Sequence, residues 1–76
     1  MEEYWMTDLY VKAGYGRSAI FTHFDKTEAL AVFPDHLELA IKGKTRKIYV
    51  PSEDITFVEQ FISERLPQGT PVTRKS

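Results

Sequence analysis

Hydrophobic and polar residues alternate along residues 36–50, on both sides of a glycine. The aliphatic residues at every second position are Leu37, Leu39, Ile41, Ile48 and Val50. Alternation of this kind is typical of two antiparallel strands that bury one face. With Gly43 as the first loop residue of a type II′ turn, the pattern predicts a hairpin that pairs Leu39 with Ile48 and Leu37 with Val50.

The stretch before this hairpin allows two interpretations. A turn at Pro34 would pair residues 29–33 with the strand 36–41. The aliphatic pairs would then be Leu30 with Leu39 and Val32 with Leu37. Alternatively, a capping pattern of Asp25 and Glu28 before good helix formers would make 26–33 a helix of two turns. We predict the strand, because such a helix would be very short.

Two further strands are predicted upstream, from about residue 8 to 13 and from 19 to 24, joined by a turn at Gly14-Tyr-Gly-Arg17. The predicted fold class is therefore α+β, an antiparallel β-meander of four or five strands with a single C-terminal amphipathic helix packed on one face.

That helix is predicted over residues 53–66. Its apolar positions recur at helical spacing and are Ile55, Val58, Phe61, Ile62 and Leu66. Ser52 is the expected N-cap, acidic residues in the first turn favour the positive end of the helix dipole, and Pro67 ends the helix. The expected polar face carries Glu59, Gln60, Ser63 and Glu64.

The length of 76 residues has room for one domain, which we place at 1–66, followed by a flexible tail at 67–76 that is rich in Pro, Gly, Thr and charge. The chain has no cysteine, which suits a reducing compartment. Its first residues are acidic and do not resemble a signal peptide, and no apolar run is long enough to span a membrane. We expect a cytoplasmic protein that does not associate with membranes.

One helix covers one side of a sheet, so the opposite side should be polar, yet here it is largely apolar. The residues predicted to point away from the helix include Ala29, Ala31, Phe33, Ala40 and Tyr49. Either the N-terminal segment, with Tyr4 and Trp5, folds over this side as a second small core, or the side is a contact surface for another molecule.

A basic cluster surrounds the turn of the hairpin. Four cations stand within six positions, Lys42, Lys44, Arg46 and Lys47, in a chain whose formal net charge is −1. Such a cluster could protect the edge of the sheet, attract an acidic protein, or contact the phosphates of nucleic acid. The near-neutral balance of the whole chain argues against nucleic acid.

Catalytic and metal-binding patterns are not evident. His23 and His36 each have an aspartate nearby, but neither shows the compact spacing of a metal site. Ser18 and Ser52 lie in no nucleophile motif. We predict no enzyme activity, no catalytic residue, no metal site and no cofactor.

The predicted function is that of a small non-catalytic interaction module, possibly an inhibitor or regulator of a larger protein. It would bind through the apolar and aromatic sheet face and the basic hairpin. The predicted binding residues are Phe33 and Tyr49 on the sheet face, Lys42, Lys44, Arg46 and Lys47 on the hairpin, and Trp5 and Tyr4 in the N-terminal segment. The alternative is a nucleic-acid-binding regulator that uses the basic hairpin 42–47, and a homodimer sharing the sheet face is a further alternative.

Overall fold

The computed structural model describes residues 4–14 and 16–75. In this part of the chain it has seven strands, one α-helix and three short 3₁₀ segments. The strands are β1 (Tyr4–Met6), β2 (Tyr10–Ala13), β3 (Ile20–His23), β4 (Thr27–Val32), β5 (His36–Ile41), β6 (Lys44–Tyr49) and β7 (Val72–Arg74), and the helix is α1 (Ile55–Ser63). The class is small α+β, as predicted.

The strands form two sheets instead of one meander. The first has the order β1-β2-β3 and is antiparallel, whereas the second has the order β6-β5-β4-β7 and is mixed, because β7 runs parallel to β4. The prediction of a single meander of four or five strands was therefore only partly right. The antiparallel pairs it contained are present, but β3 does not pair with β4, since a 3₁₀ turn at Phe24–Lys26 separates the two strands.

The hairpin of β5 and β6 is confirmed, but its predicted register is wrong by two residues. Leu37 lies opposite Ile48, and Ile41 lies opposite Lys44 across the two-residue loop. Gly43 takes the second loop position with a φ of 77°, so the turn is not the predicted type II′, which requires a positive φ at the first position. A shift of two residues keeps every side chain on its predicted face.

The strand interpretation of residues 26–33 is confirmed, and the helical alternative is excluded. β4 pairs with β5 so that Leu30 lies opposite Leu39 and Val32 opposite Leu37, as predicted.

The core lies between the inner faces of the two sheets and α1. Its buried members are Val11, Phe24, Leu30, Val32, Leu37, Leu39, Ile48, Val50, Val58 and Ile62. Tyr4 and Met6 of β1 pack against this cluster, and the Tyr4 hydroxyl donates to Asp54 at 3.2 Å. The N-terminal strand therefore contributes to the main core, and of the two alternatives for the far side of the four-stranded sheet, the one in which this strand covers it is wrong.

The helix is shorter than predicted, and two details of its ends and faces differ. Ser52 does not cap it: residues Ser52–Asp54 form a 3₁₀ turn, and no side chain caps α1. Glu59, expected on the polar outside, is 8% exposed and forms an ion pair with Arg74 of β7. The parallel pairing of β7 with β4 places Arg74 on the same side of the sheet as α1, which explains the buried carboxylate.

Residues 67–76 were predicted to be a flexible tail, yet they contain β7, which was not foreseen. The Leu30 N–H donates to the Pro71 carbonyl oxygen at 2.9 Å, and the Lys75 N–H donates to the Val32 carbonyl oxygen at 2.7 Å. The mobility of this segment in solution and the domain limits stay predictions.

Candidate functional site

The outer face of the four-stranded sheet is the side turned away from the core. Strand alternation places Ala29, Ala31, Phe33, His36, Glu38, Ala40, Lys47 and Tyr49 on it. Tyr49 is 43% exposed, while Phe33, His36 and the alanines are half-buried. Because β1 belongs to the other sheet, this face keeps its apolar surface open in the described part of the chain.

An aromatic row crosses this outer face from β4 to β6. The ring of His36 stacks on Phe33 with centroids 4.4 Å apart and an interplanar angle of 6°, and it contacts Tyr49 at 5.0 Å and 30°. His36 lies directly opposite Tyr49 in the β5–β6 register, while Phe33 follows β4 at the turn. The sequence placed Phe33 and Tyr49 on one face, but it did not identify His36 as the residue that joins them.

His36 is held in place by two carboxylates. Its Nδ1 lies 2.7 Å from Asp35 and its Nε2 lies 3.2 Å from Glu38. Burial tends to lower the pKa of His36, but the hydrogen bonds and charges of the two carboxylates prevail and raise the pKa above the usual 6.5. The His36 hydrogen bond conversely lowers the pKa of Asp35. The protonated ring can donate to both carboxylates, and these contacts hold His36 in place between Phe33 and Tyr49.

The four hairpin cations do not form a single patch. Lys47 lies on the outer face opposite Glu38, Lys42 occupies the loop, and Lys44 begins β6 at the tip. Arg46 lies opposite Leu39, on the inner side of the strand. Within the described residues, none of these four forms an ion pair.

A cleft with a volume of about 360 Å³ separates β3 from β6. Ile20 and Thr22 line one wall, and residues 45–48 line the other. The Nε atom of Arg46 is buried at this cleft and has no hydrogen-bond partner among the described residues. No pattern in the sequence indicates this cleft, because it depends on how the two sheets are placed.

The two predicted N-terminal site residues lie elsewhere. Tyr4 points inward, and its hydroxyl is bonded to Asp54; burial, followed by the Asp54 charge and this bond, raises the Tyr4 pKa. Trp5 is 65% exposed, but it lies on the outer face of the three-stranded sheet. It is opposite Lys12 and on the same face as Phe21. Neither residue belongs to the aromatic row.

Other site chemistry is sparse in residues 4–14 and 16–75. No cluster of three or more His, Asp or Glu side chains that could hold a metal ion occurs there. No helix in the described chain is long and apolar enough to cross a bilayer.

No family model, curated protein or solved structure matches this chain.

Proposed function

We propose that this chain is a small non-catalytic module that binds a larger protein and regulates or recruits it through the outer face of the four-stranded sheet. The observation that carries the proposal is the row of Phe33, His36 and Tyr49, which runs from the end of β4 over β5 to β6 on a side of the sheet that the N-terminal strand leaves open.

The composition of this face suits a protein contact. Aromatic residues supply most of the binding energy in many interfaces, especially where they are held rigid and surrounded by groups that exclude water. Ala29, Ala31 and Ala40 contribute small side chains to the rest of this face, and the His36 ring packs against both of its aromatic neighbours. A row that is ordered before binding loses less conformational entropy when a partner docks.

The charges beside this face favour an acidic rim on the partner. Lys47 lies on the outer face itself, and Lys42 and Lys44 extend from the adjacent hairpin tip. Since they have no ion-pair partner in the described chain, an approaching acidic surface does not have to displace one. Charges of this kind mainly accelerate and orient association.

Nucleic acid is the second candidate, because the same unpaired cations could contact phosphates. Neutralising about three to four phosphates on B-DNA gives a log–log salt slope of about −3. The formal net charge of −1 and the internal stacking of the aromatic row favour the protein partner.

The test is affinity capture from native lysate, with and without nuclease treatment, comparing the wild type with Tyr49→Ala. The matched control is Phe57→Ala, which removes an aromatic side chain that is 64% exposed on α1. The proposal predicts a specific protein that is retained by the wild type and by Phe57→Ala and is lost with Tyr49→Ala. Equal retention by all three proteins would contradict it, and material that disappears with nuclease would favour the nucleic-acid function.

A further inference from the structure

The cleft between β3 and β6 is bordered by the open edges of both sheets. β6 is the last strand of the four-stranded sheet, and β3 is the last strand of the three-stranded sheet. Such edges present unpaired backbone N–H and C=O groups, which can pair with an additional strand.

The hydrogen-bond pattern shows which backbone groups of β6 face outward. The Val50 N–H donates to the Asp35 carbonyl oxygen at 3.3 Å, in register with the β5–β6 pairs. In an antiparallel pair, every second residue of a strand directs both its N–H and its C=O group to the same neighbouring strand. Arg46 and Ile48 therefore bond toward β5, while Thr45 and Lys47 direct their N–H and C=O groups toward the open edge.

The backbone groups of β3 alternate in the same way. The Phe24 N–H donates to the Leu9 carbonyl oxygen at 3.0 Å, so Ile20 and Thr22 bond toward β2. Phe21 directs its backbone groups toward the open edge, as does His23, whose carbonyl oxygen accepts a bond from the Thr27 hydroxyl at 3.2 Å. The edge of β6 thus offers backbone donors and acceptors to the cleft, and Ile20 and Thr22 of β3 form its opposite wall.

The positive charge of the cleft favours an acidic extended segment over a neutral or basic one. Arg46 and Lys47 are among the described residues that line it, and no acidic residue is. Arg46 forms no ion pair with a described residue, and a guanidinium accommodates a carboxylate through two parallel hydrogen bonds. Lysines on an exposed edge discourage pairing with neutral or basic strands, whereas an acidic strand is attracted.

We propose that this cleft binds an acidic, extended segment of a partner protein, which adds a strand to the edge of β6 and places a carboxylate on the guanidinium of Arg46. This inference names a second contact and does not rest on the outer face, so either proposal can fail without the other.

The test is an NMR titration of the ¹⁵N-labelled protein with the capped peptide Thr-Glu-Val-Glu-Thr, compared with Thr-Lys-Val-Lys-Thr. The proposal predicts amide shift changes in β6 and β3 with the acidic peptide only, and none at Phe33 or His36. Arg46→Gln should weaken binding about tenfold or more, since a hydrogen bond to a charged group is lost. The control Lys75→Gln removes the same charge beyond β7, at the opposite edge of the sheet, and should leave the affinity within about twofold.

A third peptide, with alternate backbone amides methylated, keeps the charge but cannot pair as a strand. It should not bind, and binding equal to that of the parent would overturn strand addition. Equal binding of the lysine peptide, shifts confined to the outer face, or no binding of the acidic peptide to the folded protein would also overturn the proposal. Shift changes in β3 and β6 that appear with protein concentration alone would show that a second copy fills the cleft, which contradicts it as well.

Discussion

Ile48 and Tyr49 are neighbours in β6 and point to opposite sides of the sheet, so a pair of alanine substitutions tests which side is core. Ile48 is 1% exposed, and Tyr49 is 43% exposed. If the outer face is an open surface, Ile48→Ala should destabilise the fold strongly, and Tyr49→Ala should do so weakly.

The expected magnitudes follow from burial. Ile48 lies in the core opposite Leu37, and truncation of a buried isoleucine to alanine costs about 2–5 kcal/mol. Tyr49 is nearly half exposed, and its main specific contact is the His36 ring at 5.0 Å. A pair of this kind contributes about 0.5–1.5 kcal/mol, so we expect a loss of about 1 kcal/mol for Tyr49→Ala. A domain of 76 residues has a total stability of about 4–11 kcal/mol, so the two variants should be clearly distinguishable.

The assay is urea unfolding at two protein concentrations, with linear extrapolation to water. If Ile48→Ala is partly unfolded without urea, Ile48→Val, with an expected loss of about 0.5–1.5 kcal/mol, gives the same comparison in a stable protein. A loss of 3 kcal/mol or more for Tyr49→Ala, about that of a core truncation, would refute the reasoning and show that the outer face is covered. A midpoint that rises with protein concentration would identify the cover as a second copy.

Four further predictions concern local features. Gly14 has a φ of 112°, and a Cβ there would lie 3.1 Å from neighbouring backbone, so Gly14→Ala should cost about 1–3 kcal/mol in urea unfolding. Gly43→Ala, at a φ of 77° with open space around it, should cost only about 1 kcal/mol. Glu59→Gln breaks the ion pair with Arg74 and should accelerate amide hydrogen exchange in β7, while the amides of β5 stay protected. Unchanged exchange in β7 would show that the ion pair does not hold this strand in place. Because the pKa of His36 is raised on folding, its contribution to stability is full below the unfolded value near 6.5 and is lost as pH rises through the folded value. The stability difference between wild type and His36→Gln should therefore shrink as pH rises above 6.5, and a difference that grows with pH would contradict the assignment.

The sequence predicted the parts of the fold that depend on alternation over six or more residues. β4, β5 and β6 are each six residues long, so their faces could be assigned, and these faces survived a register error of two residues. The error arose because Gly43 was placed first in the loop, whereas its positive φ serves the second position.

The missed elements are those that tertiary contacts determine. β1 and β7 have only three residues each, too few for a periodic signal. The parallel pairing of β7 with β4 and the ion pair of Arg74 with Glu59 join residues far apart in the chain. Glu59 was therefore expected in solvent, because helical spacing alone does not reveal a cation supplied by a later strand.

The candidate site divides in the same way. Phe33 and Tyr49 were predicted to share a face, because alternate residues of a strand point to the same side of a sheet. The structure adds His36 between them. The same alternation places Arg46 and Lys47 on opposite faces of the sheet, although the basic cluster is continuous in sequence. The cleft that receives Arg46 could not be predicted, because it requires the relative placement of two sheets.

Photocrosslinking inside cells tests the central claim most directly. The photoreactive residue p-benzoylphenylalanine replaces Tyr49 in one variant and Phe57 in the other, and cross-linked products are compared after nuclease treatment. The account predicts a discrete cross-linked protein from position 49 and not from position 57. No cross-link from position 49, equal products from both positions, or a product that contains only two copies of this chain would contradict it.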